Sequence, residues 1–239
     1  MAKLYVVGIG PGGREHMTLK AVDVIKKCPV VVGYSFYIEL VKDLIEGKEV
    51  VKTGMRSEIA RCQAAIERVK EGFDTCIIST GDAGLYGMAG PILEMADGIE
   101  VEIVPGVTSA FCGAAETGAP IMHDFCTISL SDLLTPWEVI EKRLHCTSEG
   151  DFVISIYNPK SKGRPDNINK AVEIMLKYKD KKTPVALVKN AGRDGNCRVV
   201  TTLGEIDFDF IDMMTVVIVG NSKSYIKDGM IITPRGYAL

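Results

Sequence analysis

Thr80-Gly81-Asp82-Ala83-Gly84-Leu85-Tyr86-Gly87 follows the apolar run Thr75-Cys76-Ile77-Ile78-Ser79 and precedes a helical stretch at residues 88–95. The run reads as a short buried strand. Its carboxyl end therefore carries a glycine, an acid, a small residue and a second glycine. In open α/β sheets that edge is where ligands bind. Glycines let a ligand approach the main chain, and a fixed carboxylate can hold a sugar hydroxyl or a cation. The same letters also describe a tight turn with Asp82 capping the next helix.

Outward from this turn, strand and helix signals alternate through the first half. Strands are expected at residues 4–8, 30–33, 49–52, 75–79 and 101–104, and helices at 18–27, 36–45, 57–70, 88–95 and 108–117. Leu19, Val22 and Ile25 form the expected inner face of the first helix; Ile59, Ala65, Ile66 and Val69 form that of the third. Such alternation implies a mainly parallel sheet with helices on both faces. Near Gly118-Ala119-Pro120 the pattern pauses. Strands are expected again at 127–129, 152–157, 185–188, 198–202 and 216–219, with a helix near 167–178. Thr135-Pro136-Trp137-Glu138 reads as a helix start, with Thr as cap, Pro at the first helical position and Glu at the third. The later connections look partly antiparallel, so the second sheet is expected to be mixed. The expected fold class is α/β, in two α/β domains at residues 1–119 and 120–239 with a ligand cleft between them.

At 239 residues the chain is long enough for two modest cores. Its 46% hydrophobic and 25% charged content is ordinary for a globular protein. A formal charge of −3 gives no general pull towards nucleic acid or anionic membrane, so neither is an expected partner. No long apolar span occurs and Met1-Ala2-Lys3 leads straight into a strand, which points to the cytoplasm. The seven cysteines are scattered and no CxxC is present, so no metal site is expected from them.

Gly8-Ile9-Gly10-Pro11-Gly12-Gly13 matches the dinucleotide pattern GxGxxG. On its own that match is weak. Pro11 removes a backbone N–H from the segment that would cradle a pyrophosphate. The second strand ends in Val31-Val32-Gly33-Tyr34, without the acid that would bind a ribose hydroxyl, and Asp23 comes too early. A ligand lacking phosphate suits this loop better than NAD, and the glycines can equally serve a tight turn alone.

Three motifs together resemble the tetrapyrrole methylases in order and spacing: Gly8-Ile9-Gly10-Pro11-Gly12, Ser79-Thr80-Gly81-Asp82 with Tyr86-Gly87, and Val104-Pro105-Gly106-Val107-Thr108-Ser109. These are S-adenosylmethionine (SAM)-dependent enzymes of corrin and sirohaem synthesis, with relatives in diphthamide synthesis and ribosomal RNA methylation. Gly33-Tyr34, Thr53-Gly54-Met55-Arg56, His123-Asp124-Phe125, the run from Ser129 to Glu138, and Tyr157-Asn158-Pro159 resemble one branch. That branch methylates C17 of precorrin-3B or cobalt-factor III in cobalamin biosynthesis and is associated with corrin ring contraction. The resemblance covers essentially the whole chain. It implies SAM as methyl donor in an interdomain cleft, a tetrapyrrole substrate and a homodimer. Carried over by motif, the donor contacts are Pro11, Gly81, Asp82, Leu85, Thr108, Ser109, Tyr157, Asn158 and Ala191.

A modified tetrapyrrole is flat, apolar on its faces and ringed by carboxylates, so it calls for cations at the site's rim. Arg14, Lys52, Arg56, Arg61, Lys160 and Arg164 lie at or near expected strand ends, and Arg56 is the leading candidate. Ser131 and Asp132 can bind substrate or start the Trp137 helix. His123 and Asp124 are the candidate catalytic pair for proton handling, since a histidine titrates near neutrality; a hydrogen-bonded linker histidine fits the same letters. Three other functions remain open at this point: methylation of another corrin carbon, NAD(P)-dependent oxidoreduction, and non-catalytic binding of tetrapyrrole or SAM.

Overall fold

Side chains along the first strand point alternately into two cores, which is the period-two signature of a sheet covered on both faces. Leu4 and Val6 join Val30, Val32 and Ile77 on one side. Tyr5 and Val7 join Val31, Cys76 and Ile78 on the other. The computed structural model describes residues 2–238. The chain divides into two compact units between Ser109 and Ala110.

In the first unit, β1 (Lys3–Gly8), β2 (Val30–Tyr34), β3 (Glu49–Thr53), β4 (Thr75–Ser79) and β5 (Glu100–Val104) form one parallel sheet in the order β3-β2-β4-β1-β5. Helices α1 (Leu19–Lys27) and α2 (Ser35–Glu39) cover one face, through Ala21, Val24, Ile25 and Ile38. Helices α3 (Glu58–Lys70) and α4 (Ala89–Met95) cover the other, through Cys62, Ala65, Ile66, Val69 and Ile92. Each large aliphatic side chain sealed in these cores contributes about 1.5–3 kcal/mol.

Three local expectations change. Leu19 is 85% exposed, and the inner face of α1 is Ala21, Val24 and Ile25. The Thr18 hydroxyl accepts from the Ala21 N–H at 3.1 Å and lies 3.3 Å from the Pro105 carbonyl, which sets the rotation of the first turn. Ile59 is likewise exposed, and the buried Arg61 takes a place on the inner face of α3. The helix expected at 36–45 is cut to α2 plus a 3₁₀ turn at Lys42–Leu44. Ile38, Val41 and Leu44 are spaced by three and all buried, and 3₁₀ geometry stacks that spacing on one face.

The second unit contains α5 (Ser109–Thr117) from its second residue on, then β6 (Gly118–Ala119), β7 (Phe125–Ser129), α6 (Trp137–Glu149), β8 (Val153–Tyr157), α7 (Asn167–Met175), β9 (Pro184–Lys189), β10 (Cys197–Thr202), β11 (Thr215–Val219), β12 (Tyr225–Lys227) and β13 (Met230–Ile232). Its main sheet runs β10-β9-β11-β8-β7 and is mixed: β7 and β8 are parallel, the other pairs antiparallel. Helices α6 and α7 bury Ile140, Leu144, Ile168, Ala171 and Met175 on one face. Helix α5 packs Ala110, Cys112 and Ala114 on the opposite face with Ala186, Val188, Val216 and Ile218. The helix that closes the βαβα alternation in sequence thus has its core contacts in the second unit. A small sheet, β12-β13-β6, is present that no sequence signal announced.

Helix α6 begins one residue later than expected. Pro136 is its cap, with ψ 143°, and no side chain caps the start. The Val139 N–H bonds to the Pro136 carbonyl at 3.0 Å, so the proline stands just outside the helix and Thr135 does not cap it. None of the helices among the described residues is long and apolar enough to cross a membrane.

Candidate active site

The strand order places β4, β1 and β5 side by side, so the three loops that carry the glycine motifs leave one sheet edge together. Ile9 N–H bonds to the Ser79 carbonyl at 2.9 Å. Beyond it, Gly10 and Gly81 exchange both main-chain hydrogen bonds, at 3.1 and 2.8 Å. Gly10 at φ 75° and Gly81 at φ 66° occupy the left-handed region, which glycine enters without penalty. The Thr80 hydroxyl donates to the Gly10 carbonyl at 3.3 Å.

Closer still is the third loop. A Cβ on Gly106 would stand 2.2 Å from the Gly81 carbonyl oxygen and 2.8 Å from Gly8. A Cβ on Gly8 would meet the Gly106 nitrogen at 2.7 Å and the Gly81 oxygen at 2.8 Å. The three loops therefore touch backbone to backbone. Gly81 differs: its own Cβ position meets only the Thr108 Cα, at 3.8 Å. Space is open on that side, so a ligand can reach the main chain there.

Asp82 ties the loops together. One carboxylate oxygen accepts from the Gly84 N–H at 2.8 Å and the other from the Gly106 N–H at 2.9 Å. Two of its roughly four acceptor positions are thereby used, and among the described residues no further donor takes the others. Asp82 is half-buried, as is Leu85, while Tyr86 is 52% exposed at φ 55°. Pro11 and Thr108 are buried, and Ser109 opens α5.

In the second unit, the Tyr157 hydroxyl accepts from the Ala110 N–H at 3.0 Å, which satisfies one of the free amides at the start of α5. Asn158, at φ 50°, donates from Nδ2 to the Ser129 hydroxyl at 2.9 Å. Ser131 and Asp132 follow β7 beside it, and the 8%-exposed Arg164 holds both. Its Nη1 lies 2.6 Å from Ser131 Oγ, and its Nε lies 3.9 Å from Asp132 Oδ1. Ala191 is buried in the turn after β9, where the Glu116 carboxylate accepts from the Gly192 N–H at 2.9 Å.

His123 and Asp124 stand elsewhere. They precede β7, at the opposite end of the strand from Ser129, Ser131 and Asp132, and about 17–20 Å of extended chain separates them from Ser129. Both are exposed; His123 Nδ1 accepts from the Asp124 N–H at 2.9 Å, which suits a linker histidine. They line a surface cavity of about 510 Å³ with Asp151, Ser222, Lys223 and Arg235.

The cations also separate. Arg14 pairs with Asp43 at 3.4 Å and Lys52 with Glu39 at 2.8 Å, and Lys160 donates to the Phe208 carbonyl at 2.9 Å. Arg61 is buried, with Nε on Thr53 Oγ1 at 2.7 Å and Nη2 on the Gly54 carbonyl at 2.9 Å. It braces the turn that presents Arg56. Arg56 is exposed at φ 61°, and among the described residues none pairs with its guanidinium. Glu116 and the bracing role of Arg61 carry no local motif; a lone acid near a helix end and an arginine at an apolar helical position are the signals that precede them.

Residues 3–207 match the family model described as tetrapyrrole (corrin/porphyrin) methylases. The chain is 50% identical over 240 residues to a probable cobalt-factor III C(17)-methyltransferase of Salmonella typhimurium, covering 99% of this chain and 100% of that protein. It is 44% identical to the cobalt-factor III methyltransferase of Priestia megaterium, covering 98% of this chain and 45% of that longer protein. Among solved structures, the methyltransferase CobJ superposes with a TM-score of 0.92 at 32% identity, over 98% of this chain and 100% of that one. With its sheets, its three glycine loops and its sequence all in agreement, the chain belongs to the tetrapyrrole methylase family.

Proposed function

We propose that this protein transfers a methyl group from SAM to C17 of cobalt-factor III or precorrin-3B in cobalamin biosynthesis, coupled to ring contraction. One observation carries the reading: three loops meet at glycine backbones on one sheet edge and leave Gly81 open beside a fixed carboxylate. That arrangement offers main-chain groups and an acceptor without a phosphate cradle, which fits an adenosyl sulfonium better than a dinucleotide. Family membership and the full-length likeness to the Salmonella protein support the same conclusion.

SAM supplies a methyl already made electrophilic by its sulfonium; the C–S bond breaks as the bond to C17 forms, and sulfur keeps the electron pair as a neutral thioether. The chain's own work is to bind, orient and exclude water. In the first unit, Gly81 and Pro11 offer backbone surface, the free acceptor positions of Asp82 take ligand hydroxyls, and Leu85, Thr108 and Ser109 complete the contacts. In the second, Tyr157, Asn158 and Ala191 contribute. For the tetrapyrrole, Arg56 supplies an unpaired cation for a ring carboxylate, and Ser131 and Asp132, held by Arg164, supply polar contacts.

Purified protein incubated with SAM and cobalt-factor III, and separately with precorrin-3B, tests this directly. The expected result is S-adenosylhomocysteine together with a tetrapyrrole heavier by one methylene unit and labelled at C17. Binding of NADH in preference to SAM, or methylation at another carbon, would overturn it.

A further inference from the structure

Glu116 sits in the last turn of α5, where a negative charge opposes the helix dipole. Local preference does not explain it; its contacts do. Oε1 accepts from the Gly192 N–H at 2.9 Å, and Oε2 accepts from Asn196 Nδ2 at 2.7 Å. The Arg198 guanidinium donates to the Glu116 main-chain carbonyl. All of these partners lie more than 70 residues along the chain, in the loop between β9 and β10 and at the start of β10.

That loop needs an external fastening. Gly192 at φ 65° and Gly195 at φ 73° take the left-handed conformation freely, but Asn190 at φ 52° is a non-glycine residue held there, so the fold-back of the segment carries a local backbone cost. Internal bonds from Arg193 N–H to the Asn190 carbonyl at 2.9 Å and from Asn196 N–H to the Arg193 carbonyl at 3.1 Å shape it, and the Asn190 N–H ties its first residue to the Met214 carbonyl at 3.0 Å, which leaves the stretch from Gly192 to Asn196 to the Glu116 carboxylate. Helix α5 can anchor it because Gly113 lets the helix lie close on the sheet. A Cβ there would meet Val216 Cγ1 at 3.1 Å and Val188 Cγ2 at 3.3 Å. The same helix is capped at its other end by the Tyr157 hydroxyl.

We propose that Glu116 is a positioning residue for the methyl donor: by fastening the Asn190–Asn196 loop to α5, its carboxylate holds Ala191 and its neighbours in the donor-binding conformation. The inference rests on the reading of Ala191 as a SAM contact. It predicts an effect on donor affinity, separate from the chemistry and from tetrapyrrole binding. Glu116→Gln keeps the shape but turns an amide towards either Gly192 N–H or Asn196 Nδ2, a donor facing a donor. Reversing Asn196 to compensate sets its oxygen against the Asn190 carbonyl, which its Nδ2 now meets at 3.3 Å.

Calorimetric titration of SAM into wild-type protein, Glu116→Gln, Glu116→Ala and Asn196→Ala is the test, followed by steady-state kinetics with cobalt-factor III. The expected result is a Kd and a KM for SAM about tenfold higher in both Glu116 variants, with kcat at saturating SAM and the tetrapyrrole KM unchanged. Asn196→Ala shifts SAM affinity in the same direction but less, and the Glu116→Ala/Asn196→Ala double variant is no worse than Glu116→Ala alone. Equal SAM affinity in wild type and Glu116→Gln overturns the positioning role, as does a fall in kcat with KM for SAM unchanged. Wild-type protein that fails to bind SAM overturns instead the donor assignment on which the inference stands.

Discussion

The Asp82 carboxylate and the Gly106 amide are hydrogen-bonded at 2.9 Å across 24 residues of chain, and this bond joins the loop after β4 to the loop after β5. With the second bond to Gly84, one acid fixes two of the three loops at the candidate site. Asp82 is thereby both a brace and a prospective ligand acceptor.

Replacing Asp82 by Ala leaves two amides short of a partner and removes a ligand acceptor. Stability is expected to fall by about 1–3 kcal/mol and SAM affinity to weaken by a similar amount. Urea unfolding and calorimetry, run on the same preparation, check the two effects. Unchanged SAM affinity with reduced stability would leave Asp82 as brace only.

Gly81 and Gly106 separate packing from ligand approach. Gly106→Ala forces a methyl onto the Gly81 carbonyl and is expected to cost about 1–3 kcal/mol or more in stability. Gly81→Ala meets only the strain of a left-handed backbone, about 1–2 kcal/mol, because the protein leaves room for the methyl. Its larger effect is expected on SAM binding, by at least about tenfold. Thermal unfolding with and without SAM distinguishes the pair; retained SAM binding in Gly81→Ala would show that the open side of the loop faces no ligand.

Arg56 and His123 are expected to behave oppositely. Arg56→Ala should raise the tetrapyrrole KM by about tenfold, the worth of one charge-assisted contact, with SAM affinity unchanged. His123→Ala should leave kcat within about twofold, because its exposed ring stands at the far end of β7 from Ser131 and Asp132. A bell-shaped pH–rate profile that loses one limb in His123→Ala would restore the histidine to the chemistry.

Acid stability should carry a mark of Glu102. Hydrogen bonds from Lys20 and Lys3, at 2.6 and 2.8 Å, hold its carboxyl down to about 2 from an ordinary value of 4.5. A carboxyl lowered in the folded state contributes stability above its unfolded value, and that contribution disappears as pH falls from 4.5 towards 2. Glu102→Gln is therefore expected to flatten the decline of unfolding midpoint across that window. High salt should flatten it in the wild type too, since Glu102 and Lys3 are partly open to solvent and Lys20 is exposed. A wild-type decline unaffected by either change would assign acid sensitivity to other groups.

Much of the architecture was legible because periodicity reports burial directly. Val30, Val31 and Val32 or Cys76, Ile77 and Ile78 can be continuous and apolar only where both faces of a strand are covered. The small sheet β12-β13-β6 was not legible, since Gly118 of two-residue β6 finds its partner 113 residues later, at Ile231. Helix faces were misread where the decisive contact is tertiary: Thr18 reaching Pro105 turns Leu19 outward, and the bonds of Arg61 to Thr53 and Gly54 admit a charge to an inner face. At the candidate site, glycine spacing marked the loops, and the strand order brought those motifs to one edge. What spacing does not encode is which acceptor an amide finds. The bonds of Asp82 to Gly106 and of Glu116 to Gly192 therefore had no local signature.

The contact among Gly8, Gly81 and Gly106 also limits how this protein can be re-engineered. Where two side chains collide, trimming one relieves the other; here the colliding partner is already main chain, so no second-site trim exists. A saturation library at Gly8 or Gly106 should return active clones dominated by glycine, with alanine at most a destabilised minority, and altered donor or ring selectivity will have to come from outlying positions such as Leu85 and Tyr86.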